Sequence, residues 1–337
     1  MTNLINDLRN GDRLALSRLL SQVENDTTEG REALNEIFID TGSAHLIGVT
    51  GAPGVGKSSL VNQLVLHIRK NTEKKIAIIA VDPTSPFSGG AVLGDRVRMR
   101  DLSGDDHIFI RSMASRGNLG GLAHGTAALT QVFDAAGFDL VFIETVGAGQ
   151  AEVDIARLAH TTLVVDAPGM GDDIQAIKAG ILEIADILVI NKADRPGVEH
   201  TEKALRGMLE LSHPISRTFK HHGQNMKEKM RNDQLNLQEN GWIPCIQKTN
   251  ALEGSGIPEL AEKINDHEKY LESSGNRARR DRYRLEAEID AIIQETLTNE
   301  FRANLPQKDY ESTLQEVIDR KLSPWEAVTK LIDGRKV

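Results

Sequence analysis

The segment that most constrains the fold is residues 51–58, which read GAPGVGKS and match the phosphate-loop pattern G-x-x-x-x-G-K-[ST] in full. The apolar run His45–Thr50 precedes it and predicts a buried strand, and the amphipathic run Ser59–Ile68 follows it and predicts a helix. Glycines let successive backbone N–H groups curve around a polyphosphate, and a helix N-terminus adds unpaired donors. We therefore predict a nucleotide phosphate site in which Lys57 reaches the β- and γ-phosphates and Ser58 binds Mg²⁺. The residues predicted to contact the phosphates are Gly51, Ala52, Pro53, Gly54, Val55, Gly56, Lys57, Ser58 and Ser59.

The composition limits the partners of this site. The chain has 337 residues, a net charge of −9 and 39% apolar residues, which is enough for a sizeable core. The acidic balance argues against nucleic acid as a partner, because phosphate backbones are bound by basic surfaces. The N-terminus does not resemble a signal peptide, and no apolar run reaches the ~18 residues of a membrane span, so we expect a cytoplasmic protein without a membrane partner.

The single cysteine, Cys245, excludes disulfides within the chain, and its apolar surroundings predict a buried structural thiol.

Two further apolar runs end in acidic residues. The run Lys75–Asp82 follows the first predicted helix, and a later run of four apolar residues ends at Glu144. Strands that are apolar on both faces and alternate with helices indicate a parallel sheet, and ligands of such sheets bind at the carboxyl edge. We expect Asp82 to emerge beside the phosphate loop and Glu144 to lie opposite Ser58, where it would hold the water shell of the metal. Gly147 is expected to offer its backbone N–H to a γ-phosphate.

Two glycine-containing segments are candidate switches. Pro83–Arg100 combines glycines and prolines with charges, and is either a switch beside the phosphates or an ordinary long surface loop. Farther along, Arg111–Gly121 predicts a polar turn. The loop after the predicted strand Thr161–Asp166 contains Asp172 and Lys178, which flank the first turns of a helix. Asp172 is interpreted as a helix N-cap and as a switch residue, two roles that can coexist.

A guanine-reading motif follows the apolar run Ile187–Ile190. Asn191, Lys192 and Asp194 form the pattern N-K-x-D. Guanine presents its N1–H and N2–H₂ donors on one edge, a carboxylate accepts both, and adenine lacks this pair, so Asp194 is predicted to select GTP. We expect Asn191 to brace the loop and the Lys192 stem to cover the plane of the base. A second base-contacting loop is predicted at Asn250, Ala251 and Leu252.

These signals predict an α/β fold, a P-loop NTPase whose mostly parallel sheet is flanked by helices. Residues 1–42 are predicted to be an N-terminal helical extension, residues 43–270 the P-loop GTPase domain and residues 271–337 a C-terminal helical region. The arginine-rich start of that last region is interpreted as a solvated face or a contact between protomers. Ser323 and Glu326 predict a capping box on its final helix. The apolar stripe of this region must pack on its own core or on a second subunit, and we favour a homodimer.

Together these motifs resemble the MeaB/ArgK family of GTPases, in the SIMIBI class of phosphate-loop proteins, over nearly the whole chain. The resemblance implies a GTP-dependent chaperone of adenosylcobalamin-dependent acyl-CoA mutases, mainly methylmalonyl-CoA mutase, which gates cofactor loading and protects the mutase from inactivation. It also implies a weak intrinsic GTPase that the mutase stimulates, and a homodimer built through the C-terminal helices. Besides the phosphate loop and Asn191–Asp194, the most specific matching segments are Asp82–Arg96, Arg111–Gly117, Asp134–Gln150 and Gly171–Lys178.

The expected ligands are GTP or GDP and Mg²⁺. A third switch of the family falls on Gly169–Lys178, and the resemblance implies that Asp172 and Lys178 rearrange when the mutase binds. No glutamine follows Gly147 directly and Gln150 is displaced, so no residue is assigned to orient the attacking water. The expected catalytic residues are Lys57, Glu144, Asp172 and Lys178, and the expected metal ligands are Ser58, Asp82, Asp95 and Glu144.

The chain departs from the family pattern in two places. Asn250 replaces the usual serine, and residues 213–239, which include the pair His221-His222, form a longer hydrophilic stretch than usual. The chain has no D-x-H-x-x-G cobalamin signature, so cobalamin is expected on the partner. Three alternative functions are a protein kinase for periplasmic amino-acid-binding proteins, a nickel-insertion GTPase of the same class, and a nucleotide-sensing scaffold. The N-K-x-D pattern argues against the first, and the lack of a Cys/His metal depot near the phosphate loop argues against the second.

Overall fold

The computed structural model describes most of the chain, namely residues 2–82, 99–102, 104–114, 121–145, 151–169, 184–212 and 241–333. The chain divides into two compact units, Met1–Glu286 and Ala287–Val337. The first unit contains the sheet and the described part of the predicted site, and the second is helical where it is described. None of the helices in these ranges is long and apolar enough to cross a membrane.

The first unit is built on a seven-stranded sheet with the order β3-β2-β4-β1-β5-β6-β7, and every neighbouring pair is parallel. Parallel neighbours require crossover connections, and described α-helices lie in four of them, between β1 and β2, β3 and β4, β4 and β5, and β6 and β7. This architecture confirms the predicted α/β class, and it places the carboxyl ends of all seven strands at one edge. The strands are β1 His45–Thr50, β2 Ile76–Asp82, β3 Ile108–Ala114, β4 Leu140–Thr145, β5 Thr161–Asp166, β6 Ile187–Ile190 and β7 Cys245–Lys248.

The described helices of the first unit lie before, between and after these strands. The second unit contains the rest of the long helix α9 and two shorter helices. The helices are α1 Thr2–Arg9, α2 Arg13–Glu24, α3 Thr28–Ile37, α4 Lys57–Asn71, α5 Gly121–Ala135, α6 Ala151–Leu158, α7 Val198–Ser212, α8 Ile257–Ser273, α9 Asn276–Asn304, α10 Gln307–Ile318 and α11 Pro324–Asp333. Short 3₁₀ turns occupy Phe38–Asp40 and Arg100–Leu102.

The two faces of the sheet form two separate cores, because side chains alternate along each strand. In β2, Ala77 and Ile79 face a cluster formed with α1–α3, α5 and α6. Ile76 and Ile78 face the opposite cluster, which contains residues of α4 and α8. The phosphate-loop helix α4 and the N-terminal helices therefore cover opposite faces of one sheet.

Strand β3 is longer than predicted. The sequence predicts a short strand over Ile108–Arg111 and a polar turn from Arg111 onward, but β3 pairs with β2 as far as Ala114. The Arg111 guanidinium donates to the Glu24 carboxylate and, at 3.3 Å, to the Ser21 hydroxyl, both on α2. Because the charged Arg111 side chain has these partners on α2, the strand can continue past it.

The arginine-rich start of α9 is only partly the solvated face that was predicted. Arg277 donates to the carbonyl oxygens of Gly42, Ser43 and Ala44 at 3.0–3.3 Å. Arg280 forms a two-pronged ion pair with Asp186 at 2.7 and 2.9 Å. Both guanidinium groups therefore hold the first turns of α9 on the first unit.

Two local predictions can be checked directly. The capping box of α11 is confirmed, because Ser323 N–H donates to Glu326 Oε2 at 2.8 Å and Glu326 N–H donates to Ser323 Oγ at 3.2 Å. Cys245 is only half-buried in the edge strand β7, whereas a buried thiol was predicted. An edge strand has a neighbour on one side only, which leaves its side chains less covered.

Helices α2 and α3 cross at Gly30, which predicts an asymmetric response to glycine-to-alanine substitutions. A Cβ at Gly30 would lie 2.8 Å from the Gln22 backbone, so Gly30→Ala is expected to lower the free energy of unfolding by about 1–3 kcal/mol. Gly207 in α7 has open space around its Cα, so Gly207→Ala is expected to raise it by about 0.5–1 kcal/mol through helix propensity. Urea denaturation of both variants measures the difference. Equal stabilities would show that the crossing is not tight at Gly30.

Candidate functional site

The predicted phosphate loop lies at the carboxyl edge, between β1 and α4. Gly51, Gly54 and Gly56 have φ values of 141°, 81° and 95°, in the region that favours glycine. A Cβ at Gly51 would lie 2.0 Å from the Val165 carbonyl oxygen, and a Cβ at Gly56 would lie 2.5 Å from Asn191 Nδ2. The loop therefore needs glycine at both positions, because it touches β5 and the guanine motif directly.

Lys57 and Ser58 begin α4 at the end of this loop. The Lys57 ammonium group is buried, and it donates to the carbonyl oxygens of Gly51 at 2.8 Å and Ala52 at 3.1 Å. A buried cation beside the loop gives the site the charge that a polyphosphate requires. The phosphate loop and its lysine thus form one compact unit.

The Ser58 hydroxyl donates to Glu144 Oε1 at 2.6 Å, and both side chains are buried. Glu144 lies near the end of β4, where it is in register with Val49 of β1. The structure therefore brings together the two residues that the sequence placed opposite each other. A hydroxyl and a carboxylate are hard oxygen ligands, which are the type that Mg²⁺ prefers.

Asn191 joins the guanine motif to the phosphate loop. Its amide Nδ2 donates to the Val55 carbonyl oxygen at 2.9 Å. Its Oδ1 accepts from the Ala251 N–H at 3.1 Å and from the Thr249 hydroxyl at 3.3 Å. One buried side chain thus connects three segments that are far apart in the sequence.

Lys192 and Asp194 follow at the surface. Lys192 has a φ of 56°, unusual for a residue with a side chain, and its ammonium group donates to the Gly54 carbonyl oxygen at 2.6 Å. Asp194 is exposed. The lysine therefore spans from the guanine motif to the phosphate loop, and the aspartate is accessible to a ligand.

The second predicted base loop is a tight turn after β7. Asn250 Oδ1 accepts the Leu252 N–H at 3.1 Å, and the Asn250 N–H donates to the Ser255 carbonyl oxygen at 2.9 Å. Serine and asparagine side chains both cap backbone N–H groups in this way, so asparagine can support the same turn. The turn leaves Leu252 86% exposed beside the guanine motif.

Several predicted residues lie outside the described part of the chain. These are Asp95, Gly147, Asp172, Lys178 and the pair His221-His222. Asp82 is placed only as the last residue of β2, at the carboxyl edge. Within the described ranges, no group of three or more His, Cys, Asp or Glu residues is arranged to hold a metal ion.

The site also contains residues that were not predicted to belong to it. Thr249 contacts Asn191, and the buried hydroxyl groups of Thr50 and Thr145 lie 3.3 Å apart at the ends of β1 and β4. Thr50 directly precedes the phosphate loop and Thr145 directly follows Glu144. Their position next to motifs that the sequence already shows is the signal that could have identified them as site residues.

The contacts of Asn191 predict a large loss of stability when its side chain is removed. Asn191→Ala leaves the Val55 carbonyl and the Ala251 N–H without partners, so we expect the nucleotide-free protein to lose about 2 kcal/mol or more. Asn71→Ala, at the exposed end of α4, is the matched control and is expected to change stability by less than about 0.5 kcal/mol. Urea denaturation compares the two. Similar values would show that Asn191 does not tie the loops together.

Comparisons with known proteins agree with this geometry. A family model described as "Methylmalonyl Co-A mutase-associated GTPase MeaB" matches residues 16–306. A putative GTPase of Pyrococcus horikoshii is 42% identical and covers 98% of this chain and 96% of its own length. The GTPase ArgK of Escherichia coli is 35% identical, over 95% of this chain and 92% of its own length. A crystal structure of a LAO/AO transport system kinase has a TM-score of 0.68 and 28% identity, and covers 100% of this chain and 97% of that one.

The match therefore covers both the sheet with its phosphate loop and the guanine motif, and the matched relatives are named as GTPases. This chain is a GTPase that binds guanine nucleotides. It belongs to the MeaB family, the methylmalonyl-CoA mutase-associated GTPases.

Proposed function

We propose that this GTPase is a chaperone of an adenosylcobalamin-dependent acyl-CoA mutase of the methylmalonyl-CoA mutase type, gating cofactor loading and protecting the mutase from inactivation. The observation that carries the proposal is the family match across residues 16–306, whose description names that mutase. The tie between the two nucleotide loops through Asn191 supports it, because nucleotide state can then alter the whole carboxyl edge. GTP is made and used inside cells, so the proposal places the protein in the cytoplasm.

The proposed chemistry is hydrolysis of GTP to GDP and phosphate. Lys57, held at the phosphate loop, stabilises negative charge on the phosphoryl oxygens as the bond to the leaving group breaks. The buried oxygens of Ser58 and Glu144 fit Mg²⁺, with Asp82 and Asp95 as further proposed ligands. Mg²⁺ supplies charge neutralisation on the phosphate oxygens when bound.

Guanine selection is assigned to the residues around Asn191. The exposed Asp194 carboxylate accepts the two donors on the edge of the base, which adenine does not offer. The Lys192 stem and the exposed Leu252 are assigned to cover the plane of the base, which the contact of Lys192 with the phosphate loop and the exposure of Leu252 support. Ala251 and Asn250 shape the loop that carries Leu252.

The proposed regulation assumes that the site of GTP hydrolysis is incomplete until the mutase binds. Gly147, Asp172 and Lys178 are assigned to the γ-phosphate contact and to a switch that the mutase completes. The sequence places no glutamine directly after Gly147 to orient the attacking water. A slow intrinsic rate and a faster rate with the partner are then expected together.

Stimulation by the mutase is the direct test of this proposal. Phosphate release is measured under saturating GTP with and without purified methylmalonyl-CoA mutase, and at least a tenfold increase is expected. Gly207→Ala, a surface substitution away from the site, is the control and is expected to be stimulated equally. Unchanged phosphate release at saturating mutase would reject the gating role while leaving the GTPase assignment intact.

Alternative functions make different predictions. A kinase, as the protein of the similar crystal structure is named, would transfer the γ-phosphate to a protein, so labelled phosphate would appear on a periplasmic binding protein rather than in solution. A nickel-insertion GTPase would need a metal depot, and in the ranges that the structure describes no group of three or more His, Cys, Asp and Glu residues is placed to form one. A nucleotide-sensing scaffold would bind GTP and respond to it without needing hydrolysis.

We also propose that the protein is a homodimer held through its C-terminal helices. The second unit exposes a series of large apolar side chains, among them Leu297 at 60% and Trp325 at 83%. Contiguous exposed apolar surface marks protein interfaces. In the described part of this unit, the large apolar side chains that are exposed are Ile289, Ile292, Ile293 and Leu297 on α9, Tyr310, Leu314 and Ile318 on α10, and Trp325, Val328 and Ile332 on α11.

A charge placed within this apolar series is expected to dissociate the dimer. Leu297→Glu puts a carboxylate into the proposed interface, and we expect the dimer dissociation constant to rise at least tenfold. Thr298→Glu adds the same charge at the neighbouring exposed position and is expected to leave the dimer intact. Sedimentation equilibrium measures both against the 37.0 kDa protomer. A monomeric wild-type protein would contradict the proposed assembly.

A further inference from the structure

Three histidines are buried at the amino edge of the sheet, opposite the nucleotide site. His45 begins β1, His160 directly precedes β5, and His267 lies on α8. Each is at most 2% exposed. Neither GTP binding nor hydrolysis uses them, so their burial needs another explanation.

The first part of this cluster is a hydrogen-bonded chain through one hydroxyl group. The Thr161 hydroxyl lies 2.8 Å from His45 Nε2 and 2.8 Å from His267 Nδ1. A hydroxyl group has a single proton to donate, so it donates to one imidazole and accepts from the other. With both imidazoles neutral, this hydroxyl group satisfies His45 Nε2 and His267 Nδ1, while the outer nitrogens, His45 Nδ1 and His267 Nε2, have no hydrogen-bond partner among the described residues.

The second part fixes the protonation of His160. Its Nδ1 accepts the Leu46 backbone N–H at 3.0 Å, so in the neutral ring Nε2 carries the proton and donates to Asp281 Oδ1 at 2.9 Å. A second proton on Nδ1 would point at the Leu46 N–H, setting donor against donor. Protonation of His160 is therefore incompatible with this geometry.

The first turns of α9 are fastened to the same cluster. Arg280 pairs with Asp186 and also donates to the His160 carbonyl oxygen. Asp186 also accepts the Thr162 N–H at 2.8 Å and lies 3.3 Å from His267 Nε2. Asp281, the acceptor for His160, is one residue after Arg280. Release of the histidines would thus loosen α9 from the sheet.

The surrounding charges come from several elements. His45 faces His160, Arg277, His267 and Lys74, and the Glu268 carboxylate lies 3.6 Å from its Nδ1. His160 faces Asp281, Arg284 and Arg277. His267 faces Asp186, Arg280 and His160, and packs on Trp242 and Tyr270 with ring centroids 4.6 and 6.1 Å away.

These surroundings favour the neutral rings. Burial lowers the pKa of His45 to about 2, with a further contribution from the nearby positive groups. Burial lowers the pKa of His267 to about 4 although Asp186 acts in the opposite direction. Burial likewise lowers the pKa of His160 against the effect of Asp281.

We propose that His45, His160 and His267, joined through Thr161 and Asp186, form an acid-sensitive latch that fastens the first three turns of α9 to the amino edge of the sheet and opens locally when it takes up protons. The latch is closed above the ordinary histidine pKa of about 6.5, because the rings are then neutral in both states. Between that pH and the closed-state pKa of His267, about 4, protons bind mainly to the open state, so closure is lost progressively as pH falls. Each histidine shifts the ratio of open to closed about tenfold per pH unit, and three together shift it about a thousandfold.

Trp242 provides the measurement. Its ring contacts His267 at a tilted angle, and its indole N–H donates to the Asp186 carbonyl oxygen at 2.9 Å. Trp325→Phe leaves Trp242 as the sole tryptophan of the full chain. Trp242 emission is followed from pH 8 to 4 together with far-UV circular dichroism and GDP binding. We expect an emission change with a steepness of close to three protons, at a pH where helix content and GDP binding are retained. A one-proton transition, or a change that occurs only with global unfolding, would overturn the proposal.

Two variants in the same single-tryptophan background sharpen the test. His160→Asn retains an acceptor for the Leu46 N–H but does not titrate, so the transition is expected to involve about two protons and to move to lower pH. Thr161→Val removes the bridging hydroxyl at nearly constant volume and is expected to move the transition to higher pH. The exposed His200→Asn is the control and is expected to change neither value. Identical transitions in all variants would rule out the latch.

Discussion

The arrangement of the loops at the carboxyl edge depends on the side chain of Asn191, which donates one hydrogen bond and accepts another. Its amide donates to the phosphate loop at Val55 and its carbonyl oxygen accepts from the base loop at Ala251. Alanine offers neither group, and aspartate offers only acceptors to a carbonyl that needs a donor. Because Gly56 lies against the same amide, the loops that hold the phosphates and the base are packed on one residue. The geometries of these two loops are therefore coupled by direct contact.

The parts of the fold that the sequence predicted well are those determined by local pattern. The bounds of β1, β5 and β6 follow from apolar runs, and the meeting of Ser58 with Glu144 follows from parallel topology. The parts that it missed depend on distant partners. Arg111 extends β3 because of Glu24, 87 positions away, and Arg277 is held by a carbonyl 233 positions away. A sequence window shows the charge of such residues but not the group that will pair with it.

The buried polar groups at the two edges of the sheet differ in their charge. At the carboxyl edge, the charged side chains of Lys57 and Glu144 are buried at the proposed nucleotide site. At the amino edge, His45, His160 and His267 are kept neutral by burial and by fixed hydrogen bonds. The first arrangement is suited to binding a polyanion, and the second to holding helices on the sheet. The same parallel topology produces both, because all strands begin at one edge and end at the other.

We infer that a guanine nucleotide binds at the carboxyl edge through Asp194. Isothermal titration calorimetry of the wild-type protein and of Asp194→Asn, with GDP, ADP and xanthosine diphosphate, tests it most directly. We expect the wild-type protein to prefer GDP over ADP by on the order of 10⁴-fold, and Asp194→Asn to prefer xanthosine diphosphate over GDP. Binding of ADP as tight as that of GDP, or an unchanged preference in Asp194→Asn, would contradict it.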